Sequence, residues 1–358
     1  MTIPKICLIL KKNKLAMKVS ENIFESERHN TFYLSAGPED GQLIYLIHGW
    51  PDLSLGWIKQ IEYLSDLGYR VIAPDMRGYG NSTIHSDHAD YCQKEIVKDM
   101  VELHNNLGGD KAIWVGHDWG SLVVWNLGLH HSNIVKGLAS LCVPFGWGGH
   151  PDSYLSHIDR NLYPEDEYPY GQWDYMYYYF ENFASACEQM EVDPHKMIKL
   201  NFTKPSDDFK GCFNAGIGVR SMTASIRKNG GWFKHAGYDG LDTIPNVSVD
   251  SDLISEDEAK IYGDHLSKNG FFGPNSWYVN GELNDQYARE LKEFTTIDCP
   301  VLFIQAKFDS VLTSNFNTHN KMVCTNLTEE EVESGHWMAR EKPEETNAIL
   351  KEWLGSIK

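Results

Sequence analysis

Basic residues are scarce in this chain of 358 residues. Lysine and arginine number 32 against 50 aspartates and glutamates, which gives a formal net charge of −18 at pH 7. Phosphate backbones and anionic membrane surfaces are usually bound by basic patches, so this charge balance argues against both as partners. We therefore expect no nucleic-acid partner.

Long hydrophobic runs are lacking as well. The apolar run near the N-terminus extends only from Ile6 to Leu10, whereas a secretory signal needs about 7–15 apolar residues and a membrane span about 20. The sequence therefore predicts no membrane span. We expect a soluble protein of the cytoplasm.

Clustered metal ligands are a third absence. The seven cysteines lie far apart and form no CxxC pair, which argues against a zinc site or a redox dithiol. Two histidine pairs have a metal-like spacing, His85 with His88 and His130 with His131, but no cysteine or carboxylate set completes either site. We predict neither a metal nor a cofactor.

Strand-like and helix-like segments alternate along the chain, which is typical of a mostly parallel sheet flanked by helices. The length allows one large α/β domain with an inserted lid, or two ordinary domains. Short apolar runs of the kind that form buried strands occur at Leu43–Ile47, Arg70–Ala73, Ala112–Val115, Gly137–Val143 and Val301–Ala306.

Three helices are predicted from apolar residues at helical spacing. The first ends before Gly68, the second ends before Gly108, and the last begins at Pro343, a residue suited to a first helical turn. The apolar positions that define them are Trp57, Ile61 and Leu64, then Ile96, Val97, Met100, Val101 and Leu107, and finally Ile349, Leu350, Trp353 and Leu354.

The alternation breaks between about Phe145 and Glu293, where aromatic, glycine- and proline-containing segments replace clean strand patterns. We predict a largely helical cap over 145–293, inserted between two parts of one core at 1–144 and 294–358. Ligand sites in open α/β sheets lie at the carboxyl ends of the strands, so a cap inserted there would cover the active site.

The segment Gly116 to Gly120, GHDWG, follows a predicted strand and precedes an apolar helical run from Leu122 to Leu127. This context predicts a nucleophile elbow, in which a strained residue projects above the sheet and small neighbours leave room for the tight turn. The nucleophile position holds Asp118 instead of serine. Esterase and protease activities, which need serine or cysteine there, are therefore disfavoured.

An aspartate nucleophile implies a different reaction. A carboxylate is already an anion at neutral pH, and the helix N-terminus behind Asp118 favours its charge. Attack by this carboxylate on a saturated carbon forms an alkyl-enzyme ester. Beside it, we expect His117 to pack within the elbow.

Hydrolysis of such an ester requires a histidine that activates water and a carboxylate that orients the histidine. Asp309 follows the strand Val301–Ala306, and His336 precedes the last predicted helix. The chain order of nucleophile, acid and histidine is that of the α/β-hydrolase fold. We predict this fold, with a mostly parallel central sheet flanked by helices and an inserted helical cap.

The loop His48 to Asp52, HGWPD, follows the strand Leu43–Ile47, at the level where this fold supplies an oxyanion-hole donor. We assign the oxyanion hole to the backbone N–H groups of Trp50 and Trp119. Each would stabilise the oxyanion that forms when water attacks the ester, by roughly 3–4 kcal/mol.

Together these motifs resemble the soluble epoxide hydrolases. The resemblance spans nearly the whole chain and rests on HGWPD, GHDWGS, RGYGNS at Arg77 to Ser82, and SGHWMAREKPEETNAILKEWL from Ser334. It implies that a small apolar or aromatic epoxide and water are converted to a vicinal diol through an ester on Asp118.

The resemblance also implies two tyrosines that polarise the epoxide oxygen. Gly273 to Tyr278, GPNSWY, is similar to the family's GPxxWY segment, so Tyr278 takes the first position. Trp173 to Met176 is similar to the segment that carries the second, which assigns Tyr175. Met176 stands where glutamine is common and the run contains an extra residue, so Tyr177 and Tyr178 stay as alternatives.

Two other functions use the same fold. Haloalkane dehalogenases also resemble this sequence in having an aspartate followed by tryptophan at the elbow, but a leaving halide needs N–H donors, whereas an opening epoxide needs an O–H acid. A non-catalytic small-ligand receptor would be expected to lose Asp118, Asp309 or His336, and all three are present. Epoxide hydrolysis is therefore the predicted activity.

Overall fold

The computed structural model describes residues 19–146, 151–204, 218–233, 244, 247–292 and 295–357. The apolar run from Ile6 to Leu10 lies outside them. Among the described residues, no helix is both long and apolar enough to cross a membrane.

The described strands form one sheet in the order β1-β2-β4-β3-β5-β6-β7-β8. The first two pairings, β1 with β2 and β2 with β4, are antiparallel, and the others are parallel. The strands are β1 Ser20–Glu25, β2 Asn30–Ala36, β3 Leu43–Ile47, β4 Arg70–Pro74, β5 Ala112–His117, β6 Val135–Leu141, β7 Val301–Ala306 and β8 Leu327–Val332. The predicted fold class is confirmed.

The five predicted strands are present as β3 to β7. The bounds of β3 and β7 agree with the prediction, and β4 and β5 extend one and two residues further. Strand β6 begins and ends two residues earlier than predicted. Every residue of β3, β5 and β7 is buried, because these central strands are covered on both faces, and this is why they appear in the sequence as continuous apolar runs.

The prediction omitted three strands near the edges of the sheet, β1, β2 and β8. Strand β8 contains three consecutive glutamates and has an alternating, largely exposed pattern. Strand β1 is polar and only partly buried. Edge strands need no continuous apolar run, since one side has no neighbour and charged side chains there discourage further pairing.

Helices flank the sheet and fill the segment between β6 and β7. They are α1 Ile58–Asp66, α2 Gln93–Leu107, α3 Trp119–His130, α4 Asp174–Glu191, α5 Pro194–Asn201, α6 Ile226–Asn229, α7 Glu256–Asn269, α8 Phe272–Ser276, α9 Gly281–Ala288, α10 Asn320–Val323, α11 Met338–Glu341 and α12 Pro343–Ser356.

The three predicted helices correspond to α1, α2 and α12. Gly108 ends α2 in the left-handed conformation, with φ 68°. In α12, Leu350, Trp353 and Leu354 are buried as predicted, but Ile349 is only half-buried.

The described residues between β6 and β7 contain α4 to α9 and short 3-10 turns, joined by turns and loops, and they form no named strand. The boundaries assigned above to the cap and to the two parts of the core stay a prediction. Because β3, β5, β6 and β7 are parallel, their carboxyl ends share one edge of the sheet, and the loops after them meet this helical segment.

Candidate active site

Asp118 lies in a strained turn between β5 and α3. Its φ of 52° and ψ of −129° fall outside the regions that residues with a side chain usually occupy. The backbone around this turn leaves no room for a side chain at the two glycines that flank Asp118. A Cβ on Gly116 would lie 2.3 Å from the carbonyl oxygen of Gly120, and a Cβ on Gly120 would lie 2.2 Å from the carbonyl oxygen of Ile47. The two glycines of the motif are therefore required by close packing.

The loop after β3 reaches the same point. The N–H of Trp50 donates to Asp118 Oδ1 at 2.7 Å, and the N–H of Trp119 is also bonded to this carboxylate. A Cβ on Gly49 would lie 2.3 Å from Asp118 Oδ1, so glycine is needed there as well. The predicted oxyanion-hole donors thus face the carboxylate on which an ester carbonyl would form.

His336 and Asp309 complete the arrangement. The His336 Nδ1 lies 2.7 Å from Asp309 Oδ2 and its Nε2 lies 3.6 Å from Asp118 Oδ2. The other oxygen of Asp309 accepts the N–H groups of Val311 and Leu312, both at 2.9 Å. Asp309 is therefore held from both sides, and it fixes the imidazole with Nε2 directed toward Asp118.

A cavity of about 110 Å³ opens above these residues. Its wall is mostly aromatic and aliphatic, and the side chains of Asp118 and His336 are 15% and 16% exposed. Tyr175 on α4 and Tyr278 in the turn after α8 both line the cavity, and their ring centroids are 5.7 Å apart.

The alternative tyrosines lie elsewhere. The Tyr177 hydroxyl donates to Asp152, and the Tyr178 hydroxyl accepts from Gln189 at 2.8 Å. Neither residue lines the cavity. The structure therefore brings Tyr175, and not its two neighbours, to the other predicted site residues.

Comparison with known proteins agrees with this geometry. Residues 42–186 match the model of the alpha/beta hydrolase fold family. The curated Epoxide hydrolase A of Mycobacterium tuberculosis is 30% identical over 332 residues, which cover 90% of this chain and 94% of that protein. The chain belongs to the epoxide hydrolase family. The resemblance inferred from the motifs is confirmed.

Further members of the epoxide hydrolase family differ in length. Bifunctional epoxide hydrolase 2 of Sus scrofa is 31% identical over 88% of this chain, but the chain spans only 51% of that protein. The crystal structure of Epoxide Hydrolase A from Mycobacterium thermoresistibile has a TM-score of 0.76 and 27% identity, and the match covers 95% of this chain and 99% of that one.

In this site the charges of Asp118, Asp309 and His336 affect one another's pKa values. Burial raises the pKa of Asp118, and His336 and the two N–H donors only partly offset this effect. The helix N-terminus expected to favour its charge is thus outweighed by desolvation. Burial also disfavours the imidazolium of His336, but the charge and hydrogen bond of Asp309 prevail and hold the His336 pKa well above its ordinary value.

The pKa of Asp309 is shifted in the opposite direction to that of Asp118. Burial opposes its ionisation, yet the charge of His336 and the hydrogen bonds that Asp309 accepts keep its pKa below the ordinary value. Burial raises the pKa of both Tyr175 and Tyr278 well above 10, and the negative charge of Asp118 adds to this. Both phenols therefore stay protonated and can donate.

One cluster of the described residues has a metal-like spacing, since ligand atoms of His117, Cys142 and His336 lie within 4.8 Å of one another. However, His117 Nε2 and Cys142 Sγ both donate to the carbonyl of His336, at 2.8 and 3.3 Å. Burial raises the pKa of Cys142 to about 11, whereas a metal binds the thiolate. These two side chains brace the histidine backbone.

Other supporting contacts were not predicted from the sequence. His48 accepts the N–H of Met76 at 2.9 Å and thereby holds the loop that carries Trp50. The Trp50 indole donates to Asn275 Oδ1 at 3.0 Å, which ties this loop to α8. Asn275 lies within the GPNSWY segment, and this motif was the one signal that could have indicated the contact. For Cys142 the sequence offered none.

Proposed function

We propose that this protein hydrolyses epoxides to vicinal diols through an alkyl-enzyme ester on Asp118. The observation that carries the proposal is that Asp118, Tyr175 and Tyr278 line one cavity. A nucleophile and an acid are then available to the carbon and the oxygen of the same small ring.

In the first half-reaction the Asp118 carboxylate attacks an epoxide carbon. The new C–O bond forms as the ring C–O bond breaks, and the released alkoxide takes a proton from Tyr278 or Tyr175. These hydroxyls are suited to this role because they stay protonated at neutral pH and belong to buried side chains, where a hydrogen bond to a developing charge is most effective.

In the second half-reaction His336 removes a proton from water, and the resulting hydroxide attacks the ester carbonyl. The oxyanion forms next to the N–H groups of Trp50 and Trp119, and its collapse releases the diol and regenerates the Asp118 carboxylate. The hydroxide proton passes to the departing diol oxygen, and His336 keeps the proton that it took from water, which restores the imidazolium of the free protein.

Formation of the ester itself prepares His336 for this task. In the free protein the negative Asp118 lies 3.6 Å from Nε2 and favours the imidazolium, which cannot act as a base. Alkylation converts this carboxylate to a neutral ester, so the pKa of His336 falls, and the imidazolium proton passes to the tyrosinate left by the first half-reaction. The histidine therefore becomes a base at the stage that requires one.

The same contacts disfavour dehalogenation. A halide leaving group is stabilised by N–H donors and needs no proton, so it would leave the two tyrosines on the cavity without a role. A tyrosine hydroxyl instead supplies the proton that an alkoxide needs.

The direct test is incubation of the purified protein with styrene oxide and no added cofactor. We expect 1-phenyl-1,2-ethanediol as the product, quantified by chromatography. A single turnover in oxygen-18 water should place the label in Asp118 and leave the first diol unlabelled. A labelled first diol with unlabelled Asp118 would instead mean direct attack of water.

The two tyrosines are expected to act on the same oxygen. Tyr278→Phe or Tyr175→Phe should each slow alkylation by about tenfold, and the double variant by about 10²–10⁴-fold. Stopped-flow tryptophan fluorescence in a single turnover measures this step. Tyr177→Phe is the matched control and should retain the wild-type rate; an unimpaired double variant would assign the acid to another group.

A further inference from the structure

Two residues of the cavity wall carry buried hydrogen-bond donors that no acceptor of the described residues uses. Nδ2 of Asn201 and Nε1 of Trp173 are buried without a hydrogen-bond partner, and both residues line the cavity above Asp118. Buried N–H groups in proteins are nearly always bonded, so two unpaired donors in one binding cavity suggest a function.

Two contacts with Trp337 fix the position of Asn201. It is the last residue of α5, and its carbonyl oxygen accepts the indole N–H of Trp337 at 2.8 Å. The adjacent Phe202 ring stacks on Trp337, with centroids 4.2 Å apart. Because Trp337 directly follows His336, the Asn201 side chain is held on the wall close to the reacting groups.

Two other buried asparagines show what is unusual about Asn201. Asn284 and Asn320 also have an unbonded Nδ2, but Oδ1 of each accepts a backbone N–H, from Gln93 and from Phe145, both at 2.7 Å. The amides of Asn284 and Asn320 therefore stabilise the backbone of neighbouring segments. The Asn201 side chain forms no hydrogen bond with any part of the chain that the structure describes.

The surroundings define which acceptor fits. The charged groups on the wall are Asp118, Asp309 and His336, and the described lining residues include no lysine or arginine. A substrate carboxylate would meet two carboxylates of like charge, and the imidazolium of His336 is already paired with both of them. The Thr223 hydroxyl is not available as a donor, because it donates to the carbonyl of Gln172 at 2.7 Å.

We propose that Asn201 and Trp173 form a polar subsite that favours epoxides bearing a neutral hydrogen-bond acceptor, such as a ketone, ester or ether oxygen, at a distance from the ring. This inference rests on the proposed epoxide hydrolysis and specifies its substrate class. An acceptor placed there pairs donors that are otherwise buried unbonded, so it improves binding by more than the same contact would at an exposed site.

The test compares styrene oxides with an acetyl group, at the meta or para position, against those with the nearly isosteric isopropyl group. Acetyl also alters the electronics of the ring, so the decisive quantity is the change in the kcat/KM ratio between wild type and variant. Asn201→Leu should lower the acetyl-to-isopropyl ratio roughly three- to tenfold, mainly through KM, and Trp173→Phe should lower it in the same direction.

Asn133→Leu is the matched control, because Asn133 is exposed and lies before β6, at the opposite end of the strand from the cavity. It should keep the wild-type ratio. If Asn201→Leu fails to fold, Trp173→Phe decides alone. A ratio that is unchanged in every folded variant overturns the subsite.

A binding measurement separates this inference from the proposed function. Acetophenone and cumene are non-reactive counterparts of the two substrate types, and calorimetry gives their affinities without turnover. We expect wild type to prefer acetophenone and Asn201→Leu to lose this preference. If wild type hydrolyses no epoxide and still shows that loss, the reaction was assigned wrongly and the subsite is supported.

Discussion

Asp118→Ala is expected to reduce epoxide turnover by about 10⁴-fold or more while the protein still folds. The Asp118 side chain supplies the attacking oxygen, and its main described partners are the N–H groups of Trp50 and Trp119 and the imidazole of His336. Its loss removes no core packing. Diol formation from styrene oxide measures the effect, and circular dichroism and the thermal midpoint report the fold.

The raised pKa of Asp118 strengthens this expectation. Burial costs free energy for the charged form, so the native state holds an unfavourable anion that alanine removes. We expect the thermal midpoint of Asp118→Ala to equal or exceed that of wild type. Asp40→Ala, in the exposed turn between β2 and β3, is the control and should retain full activity. A folded Asp118→Ala protein with a near-normal rate would refute the nucleophile assignment.

The central sheet and the residues at its carboxyl edge could be predicted because their signals are local. A buried strand gives a continuous apolar run, and the elbow follows such a run directly with glycines that close packing requires. Asp309 and His336 were found by their order and by their places after a strand and before a helix. The pairing of their side chains is long-range and appears only in the structure.

The features that the sequence did not indicate have two physical causes. The edge strands β1 and β8 are partly exposed, so they lack the apolar pattern of a buried strand. Cys142 and Asn201 are ordinary residues in their local sequence, and their significance comes from partners far along the chain, 194 residues away for the contact of Cys142 with His336. The Cys142 contact joins the loops after β6 and β8, and the contact of Asn201 with Trp337 joins the helical segment to the core.

His336→Gln should separate the two half-reactions. Glutamine keeps a polar side chain of similar reach but cannot accept a proton from water, so ester hydrolysis should slow by about 10³-fold. Alkylation needs Asp118 and the tyrosines and should continue. Intact-protein mass spectrometry after reaction with styrene oxide is expected to show one adduct per chain, and peptide analysis should place it on Asp118.

Two comparisons make this experiment decisive. The double variant Asp118→Ala with His336→Gln should show no adduct, because the attacking carboxylate is gone. His265→Gln, on α7 and outside the cavity lining, should turn over without accumulating one. If His336→Gln forms no adduct and also makes no diol, the histidine is needed before the ester forms. Because alkylation neutralises the anion 3.6 Å from Nε2, our mechanism requires the histidine as a base only after that step.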